Sequence, residues 1–263
     1  MGKKPDLFRK DTERSALEAV VKNLEPRWGL TLVSFLPPAA HRRLRVLQGE
    51  LARRWQPIPE TERRKSDPAF SFYGPEHFHI THLTLRRSNA WGPVTLAEFV
   101  RPERGLYELF ERVAEVTGAI QPLTVVLDRL VLGRDGLSLV LLGYCAGEQS
   151  KGWRVALLGE LNRSLREPFF VESRSWDDEP EQYHRVHCAL GILKRPPGPY
   201  AAFRDYLARL TFEPVVGMLD TVSLVHHRFR SLAPPQEGQV DFRLGEVASM
   251  DEGEFASRLN LAP

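Results

Sequence analysis

The sequence predicts an α+β fold. Strand-like and helix-like stretches mix along its 263 residues without the strict alternation that a doubly wound parallel sheet needs. PLTVVLDRLVL, a turn through Gly133 to Gly136 and LSLVLLGYC together read as an antiparallel hairpin. The composition, 42% hydrophobic, 27% charged and 10% aromatic, belongs to an ordinary globular chain and excludes disorder, collagen and coiled coil.

The elements follow in order. Asp11 caps a helix with Leu17, Val20, Val21 and Leu24 on one face, stopped by Pro26. GLTLVSFLPP (Gly29 to Pro38) reads as a strand ended by prolines, and Leu44, Leu47 and Leu51 mark the helix after it. Gln56 to Gly74, rich in Pro, Arg, Glu and Ser, reads mostly as a surface loop before the strand HFHITHLTL (His77 to Leu85). After a punctuated stretch from Arg86 to Pro102 comes a helix with Leu106, Leu109, Phe110, Val113 and Val116 on one stripe. Beyond the hairpin lie a helix through Trp153, Leu157, Leu158, Leu161 and Leu165, and a polar stretch from Glu172 to Gln182. The strand RVHCALGIL (Arg185 to Leu193), a helix with Phe203, Tyr206, Leu207 and Leu210, and a strand MLDTVSLVHH (Met218 to His227) complete the pattern. Each half holds a strand with a histidine in an alternating segment, His79 and His187, followed by an amphipathic helix. The recurrence reads as a weak internal duplication.

Lys plus Arg (36) nearly balances Asp plus Glu (34), so the chain lacks the overall positive field typical of proteins that hold long duplex through phosphates. An anionic ligand has to be met locally. Two cysteines, Cys145 and Cys188, and an N-terminus without a secretory pattern predict a reducing, cytoplasmic setting without disulfides. The apolar runs are far shorter than the ~20 residues of a membrane helix.

On a strand, residues two apart share a face, so His79 projects with Thr81 and also with His77, while Arg185, His187 and Ala189 share a face on the second strand. If the strands lie side by side, two imidazoles meet around one small substrate. Such a pair suits phosphodiester chemistry, one neutral histidine taking the nucleophile's proton and one protonated histidine giving to the leaving oxygen. A neighbouring threonine hydroxyl stabilises charge on a non-bridging oxygen. The scheme requires no metal and no cofactor. Isolated strand histidines are more often structural, and it is their recurrence that favours the catalytic reading. Zinc at His77, His79 and His82 is the weaker reading, because His82 faces away on a regular strand and no Cys or carboxylate completes a ligand spacing. His226 and His227 read as a solvated rim, Cys188 as a buried inert thiol, and Asp177, Asp178 and Glu179 as solvated surface.

Taken together, the strand closed by Leu-Pro-Pro, Pro-Glu-x-x-His-Ile-Thr (Pro75 to Thr81), Pro-Leu-Thr-Val-Val-Leu with its glycine turn, and His-Cys-Ala-Leu-Gly resemble the two-histidine phosphoesterase superfamily. That superfamily includes the bacterial RNA 2′,3′-cyclic phosphodiesterases historically called 2′-5′ RNA ligases. The resemblance spans about Gly29 to His227. It implies a bilobal molecule of two pseudo-symmetric antiparallel sheets with helices on their outer faces and a central cleft. One His-x-Thr/Ser motif from each lobe lines that cleft. His79 and Thr81 match the first motif, and His187 opens the second.

Position 189 is alanine, so the second hydroxyl is absent. Losing one such donor costs about 2.7 to 4 kcal/mol in mutational series. Arg185, on the same strand face, is a candidate to compensate, and His77 is a second candidate substrate contact. His82-Leu83-Thr84 is a competing register for the first motif, which a one-residue bulge would favour.

The expected organisation is a helical extension over 1–28, a bilobal domain over 29–230 with lobes intertwined in sequence, and a C-terminal extension over 231–263. The expected activity is that of a metal-independent phosphoesterase acting on a 2′,3′-cyclic phosphate or a 2′-5′ linkage of RNA or a nucleotide. The alternatives are a nucleotide or RNA-end binding module weakened by Ala189 and, less favoured, a metal hydrolase. Expected partners are RNA ends or small nucleotides, with neither membrane nor duplex DNA. The basic segment Arg53 to Lys65 is either an RNA-facing rim or a solvated surface.

Overall fold

Among the described residues nine strands divide between two antiparallel sheets. The structure, a computed structural model, describes residues 29–55, 69–87, 106–133, 136–169, 182–194, 200–227 and 238–260. The first sheet has the order β3-β1-β8-β9, built from β1 (Gly29–Phe35), β3 (His79–Arg87), β8 (Thr221–His227) and β9 (Gly238–Arg243). The second has the order β2-β6-β5-β4-β7, built from β2 (Phe70–Phe72), β4 (Leu123–Leu132), β5 (Ser138–Cys145), β6 (Arg185–Leu193) and β7 (Val215–Leu219). The fold is α+β, as the mixed element order predicts. The helix expected over Asp11 to Pro26 lies outside the described residues, as do Asp177, Asp178, Glu179 and most of the basic segment.

Each sheet buries one face under helices. On the first sheet, α2 (Leu106–Gly118) and α5 (Glu252–Arg258) bring Phe110 and Phe255 together, ring centroids 5.3 Å apart, with Phe110 also 5.5 Å from Phe242 of β9. Asp251 starts α5 by accepting the Glu254 N–H at 2.8 Å, satisfying an otherwise orphaned donor. The segment read from the sequence as a C-terminal extension thus adds a strand and a helix to this sheet.

On the second sheet, α1 (Pro38–Trp55) buries Ala40, Leu44, Leu47 and Leu51. Its last turn meets α4 (Tyr200–Arg209), with Trp55 5.3 Å from Phe203 and Arg54 stacked 4.5 Å over Tyr206. The long helix α3 (Gly147–Phe169) packs against α2, where Arg112 donates to the Ser164 carbonyl at 3.1 Å. One core runs continuously through both layers. Each fully buried Leu or Phe in it contributes about 1.5 to 3 kcal/mol.

Three segments depart from the sequence reading. The stretch MLDTVSLVHH is two strands rather than one: β7 ends at Leu219 in the second sheet, and β8 begins at Thr221 in the first. Asp220 stands at the crossing, and its carbonyl accepts from Leu244 N at 2.7 Å. Phe70–Phe72, inside the expected surface loop, pairs with β6, because Phe70 is buried against Phe203. Gly191 lets this strand approach, since a Cβ there would stand 2.7 Å from the Ser71 carbonyl oxygen. Finally, His226 and His227 are buried, not a solvated rim. His226 Nδ1 donates to the Leu259 carbonyl at 2.9 Å, and His227 Nε2 lies 3.1 Å from Thr31 Oγ1.

The strand ladders bend at two matching places. Along β1 and β3 the register passes from Val33 opposite Thr81 to Leu32 opposite Leu83, so His82 is an extra, bulged residue. Along β5 and β6 it passes from Val140 opposite Ala189 to Leu139 opposite Gly191, so Leu190 is extra. Each bulge lies three residues after a histidine, His79 in one strand and His187 in the other.

Candidate active site

The chain leaves β2 through Tyr73 and makes a short 3₁₀ turn at Pro75–His77 before entering β3 at His79. Pro75 sets the backbone angle for the turn, and Phe78 behind it is fully buried against the His41 ring, 5.9 Å away. The Leu36 N–H donates to the Phe78 carbonyl at 2.8 Å, so the residue preceding His79 is fixed from both sides.

His79 is half-buried, with the Phe35 ring edge-on at 6.1 Å. Its Nδ1 lies 2.6 Å from the His77 carbonyl oxygen. A carbonyl only accepts, so Nδ1 carries the hydrogen and the lone pair of the neutral ring sits on Nε2. Burial pulls the His79 pKa down to about 4, and the charges of His187 and His77 pull the same way. The ring is therefore a neutral base at physiological pH.

His187 comes from β6, beyond the three residues that β2 covers, where the strand runs past β3. The two strands are in contact, with the His79 backbone beside the Cys188 sulfur. Burial pushes the Cys188 thiol up to about 12, which leaves it protonated and inert, as the sequence predicts. Across an antiparallel pair, opposed residues share a face. His187 opposes Leu142 and Arg185 opposes Tyr144, so Tyr144, Arg185, His187 and Ala189 occupy one side of the second sheet. On the first sheet His79 opposes Phe35 and Thr81 opposes Val33, which keeps His79 and Thr81 on one side, upstream of the bulge.

The structure thus brings His79, Thr81 and His187 into one region, with Ala189 beside His187. Arg185 is exposed on the same face and donates to Gln182 Oε1 at 3.4 Å. The expectation that His77 shares a strand face with His79 is not met, because His77 lies in the 3₁₀ turn, where alternation does not apply. Its carbonyl holds His79, while its ring lies 5.9 Å from Tyr73 and its Nε2 3.1 Å from Glu76 Oε1.

The competing His82 register places that ring elsewhere. His82 is buried between Ser34 Oγ, 2.7 Å from its Nε2, and Arg154, which donates to its Nδ1. Among the described residues no three His, Cys, Asp or Glu side chains converge as metal ligands. Nor is any described helix long and apolar enough to cross a membrane.

Sequence reasoning missed Arg154 and Gln48, both buried polar residues. Each carries a signal. Arg154 falls on the stripe of Leu157, Leu158, Leu161 and Leu165, and Gln48 on that of Leu44, Leu47 and Leu51, where a polar residue needs a buried partner. Gln48 Nε2 finds two, the carbonyls of Tyr73 at 2.8 Å and Leu190 at 3.0 Å, closing the corner where β2 leaves β6.

The architecture and the paired strands define a two-sheet α+β protein with one histidine from each sheet in a shared region. No protein-family model matches the chain, and no curated protein matches it. Among solved structures it is similar to TT0787 of Thermus thermophilus, at 17% identity over 84% of this chain and 100% of that one, with a TM-score of 0.48. It is also similar to E. coli LigT in apo form, at 11% identity over 83% of this chain and 99% of that one, with a TM-score of 0.43. A third is Kluyveromyces marxianus Usb1, at 9% identity over 83% of this chain and 98% of that one, with a TM-score of 0.42.

Proposed function

We propose that this protein is a phosphoesterase that opens a 2′,3′-cyclic phosphate, or cleaves a 2′-5′ phosphodiester, at the end of an RNA or on a nucleotide. One observation carries the reading: His79, neutral with its free lone pair on Nε2, lies within the field of His187 from the other sheet. The neutral state of His79 favours one division of roles. His79 Nε2 takes the proton of the attacking water as the new P–O bond forms. His187, protonated, gives its proton to the ribose oxygen as the ester bond to phosphorus breaks. A monoester results, and exchange with solvent resets both rings. The Thr81 hydroxyl donates to a non-bridging oxygen as charge builds there. Exposed Tyr144 and Arg185, on the His187 side of the second sheet, offer a base-stacking surface and a cation to the adjoining nucleotide. No step needs a metal.

A nucleotide or RNA-end binding module is the second reading, favoured by Ala189, which leaves the His187 side without the hydroxyl of its counterpart. Turnover of 2′,3′-cyclic nucleotides and of 2′-5′-linked dinucleotides by the purified protein separates the two. Under the first reading His79→Ala and His187→Ala each lower kcat by about 10² to 10⁴ in a folded protein. Micromolar binding without turnover selects the second reading, and full activity in the double variant defeats both.

A further inference from the structure

A charged residue is fully enclosed behind the two histidine strands. Arg154, on α3, is 3% exposed, and its guanidinium reaches three acceptors, two on β3 and one at the entrance to β6. Nη2 donates to the Thr81 carbonyl at 3.2 Å, two residues after His79 on β3. Nε donates to the Tyr183 carbonyl at 3.3 Å, four residues before His187 at the entrance to β6. Nη1 donates to Nδ1 of His82, the residue bulged from β3. From there the bonding has a single direction. With Nδ1 accepting, the hydrogen of neutral His82 is on Nε2 and is given to Ser34 Oγ at 2.7 Å; the Ser34 hydroxyl in turn donates to the Thr221 carbonyl at 2.5 Å. Thr221 is the first residue after the crossing from the second sheet to the first.

Burying a guanidinium is expensive, and the expense shows in its pKa, which burial pulls down to about 9, still protonated at neutrality. A side chain needed only to fill space here would be apolar. The planar fork, with donors at fixed angles, is instead suited to hold carbonyls from two strands at one separation.

We propose that Arg154 is a positioning residue that sets the spacing between the strand of His79 and the strand of His187, with His82 and Ser34 orienting its fork. Its function as an aid to turnover rests on the phosphoesterase reading above. The spacing itself is open to a measurement that does not. His79 is held low in pKa chiefly by burial and in smaller part by His187 and His77, so parting the strands, which exposes the ring and weakens the field of His187, raises it.

The test compares wild type, Arg154→Met and Arg154→Lys by proton NMR titration of His79, by thermal melting, and by kcat and KM on a 2′,3′-cyclic nucleotide. In Arg154→Met the strands part and the His79 pKa rises from about 4. For that variant kcat falls by about 10 to 100-fold with KM within about threefold, as expected for a sub-ångström to ångström misplacement. Arg154→Lys keeps the charge but not the fork, and its His79 shift and kcat fall between those of wild type and methionine. If the methionine variant does not fold, the lysine variant decides alone by its titration. A folded variant whose His79 titrates as in wild type overturns the proposal, even if kcat has dropped. A shifted titration in a protein without turnover sustains the spacing role and removes the phosphoesterase reading instead.

Discussion

The strands β3 and β6 solve the same problem with unequal equipment. Both present a histidine, skip one residue, and bulge at the third residue beyond the histidine. In β3 the alternate residue is Thr81 and the bulged one is His82, tied to Ser34 and Arg154. In β6 they are Ala189 and Leu190, whose carbonyl accepts from Tyr73 N and Gln48 Nε2. One strand thus carries the hydroxyl and a buried polar chain, and the other carries an apolar pair. The contrast teaches that the backbone geometry of the two strands is kept where their side-chain chemistry is not. On the proposed phosphoesterase reading, the side chains that stabilise an anion come mainly from the His79 side.

The largest effect that this contrast predicts is at Thr81. With no hydroxyl at position 189, Thr81→Ala removes the donor that has no counterpart, and kcat falls about 10² to 10³-fold with the fold unchanged. Thr81→Ser restores most of the rate. Steady-state kinetics beside a melting curve measure both, and a fall below threefold in Thr81→Ala would show that anion stabilisation lies elsewhere. The reciprocal change is expected to be smaller. Ala189→Thr places a hydroxyl on the face of His187, opposite Val140, and raises kcat by about tenfold, less than a donor preorganised by its surroundings delivers. No gain in a folded variant would mean that Arg185 or another group already occupies that role.

The sequence made this comparison partly legible. His79 and Thr81 share a face because the β3 bulge falls after both of them, so simple alternation holds for the residues that matter. Alternation fails on either side. His77 is drawn into a 3₁₀ turn by Pro75, and His82 is expelled from the ladder, neither of which a period of two can express. Helices α1 to α4 are readable from their apolar stripes, whereas α5 is not expected from the sequence and the break at Asp220 is hidden because apolar alternation continues on both sides of it. His226 and His227 look polar in sequence and are buried because Leu259 and Thr31 supply partners from distant segments. Such pairings are products of tertiary structure, invisible in any local window.

A third effect concerns the exposed part of β6. Arg185→Ala raises KM for an RNA end by a few-fold while leaving kcat near wild type, since the side chain is solvated and any phosphate contact there is screened. Tyr144→Ala has the same signature with less dependence on salt, as expected for loss of stacking worth about 1 to 3 kcal/mol per base. A change confined to kcat in either variant would move that residue from holding the substrate to assisting the reaction.

The smallest effect is on stability, and its sign follows from the depressed pKa. In the unfolded chain a histidine takes up a proton near pH 6.5, but folded His79 resists until about pH 4. Between those values the unfolded state binds more protons, so this residue's contribution to stability is complete above about pH 6.5 and is lost as pH falls toward 4. The melting temperature then declines through that window by a few degrees from this residue. In His79→Asn, which keeps a polar side chain but does not titrate, the part of the decline due to residue 79 disappears. The matching His187→Asn variant removes one of the charges that depress His79, so it narrows the window from its lower edge. Melting curves of the three proteins from pH 7 to 4 measure this, and an unchanged slope in both variants would mean that the two rings do not sense each other.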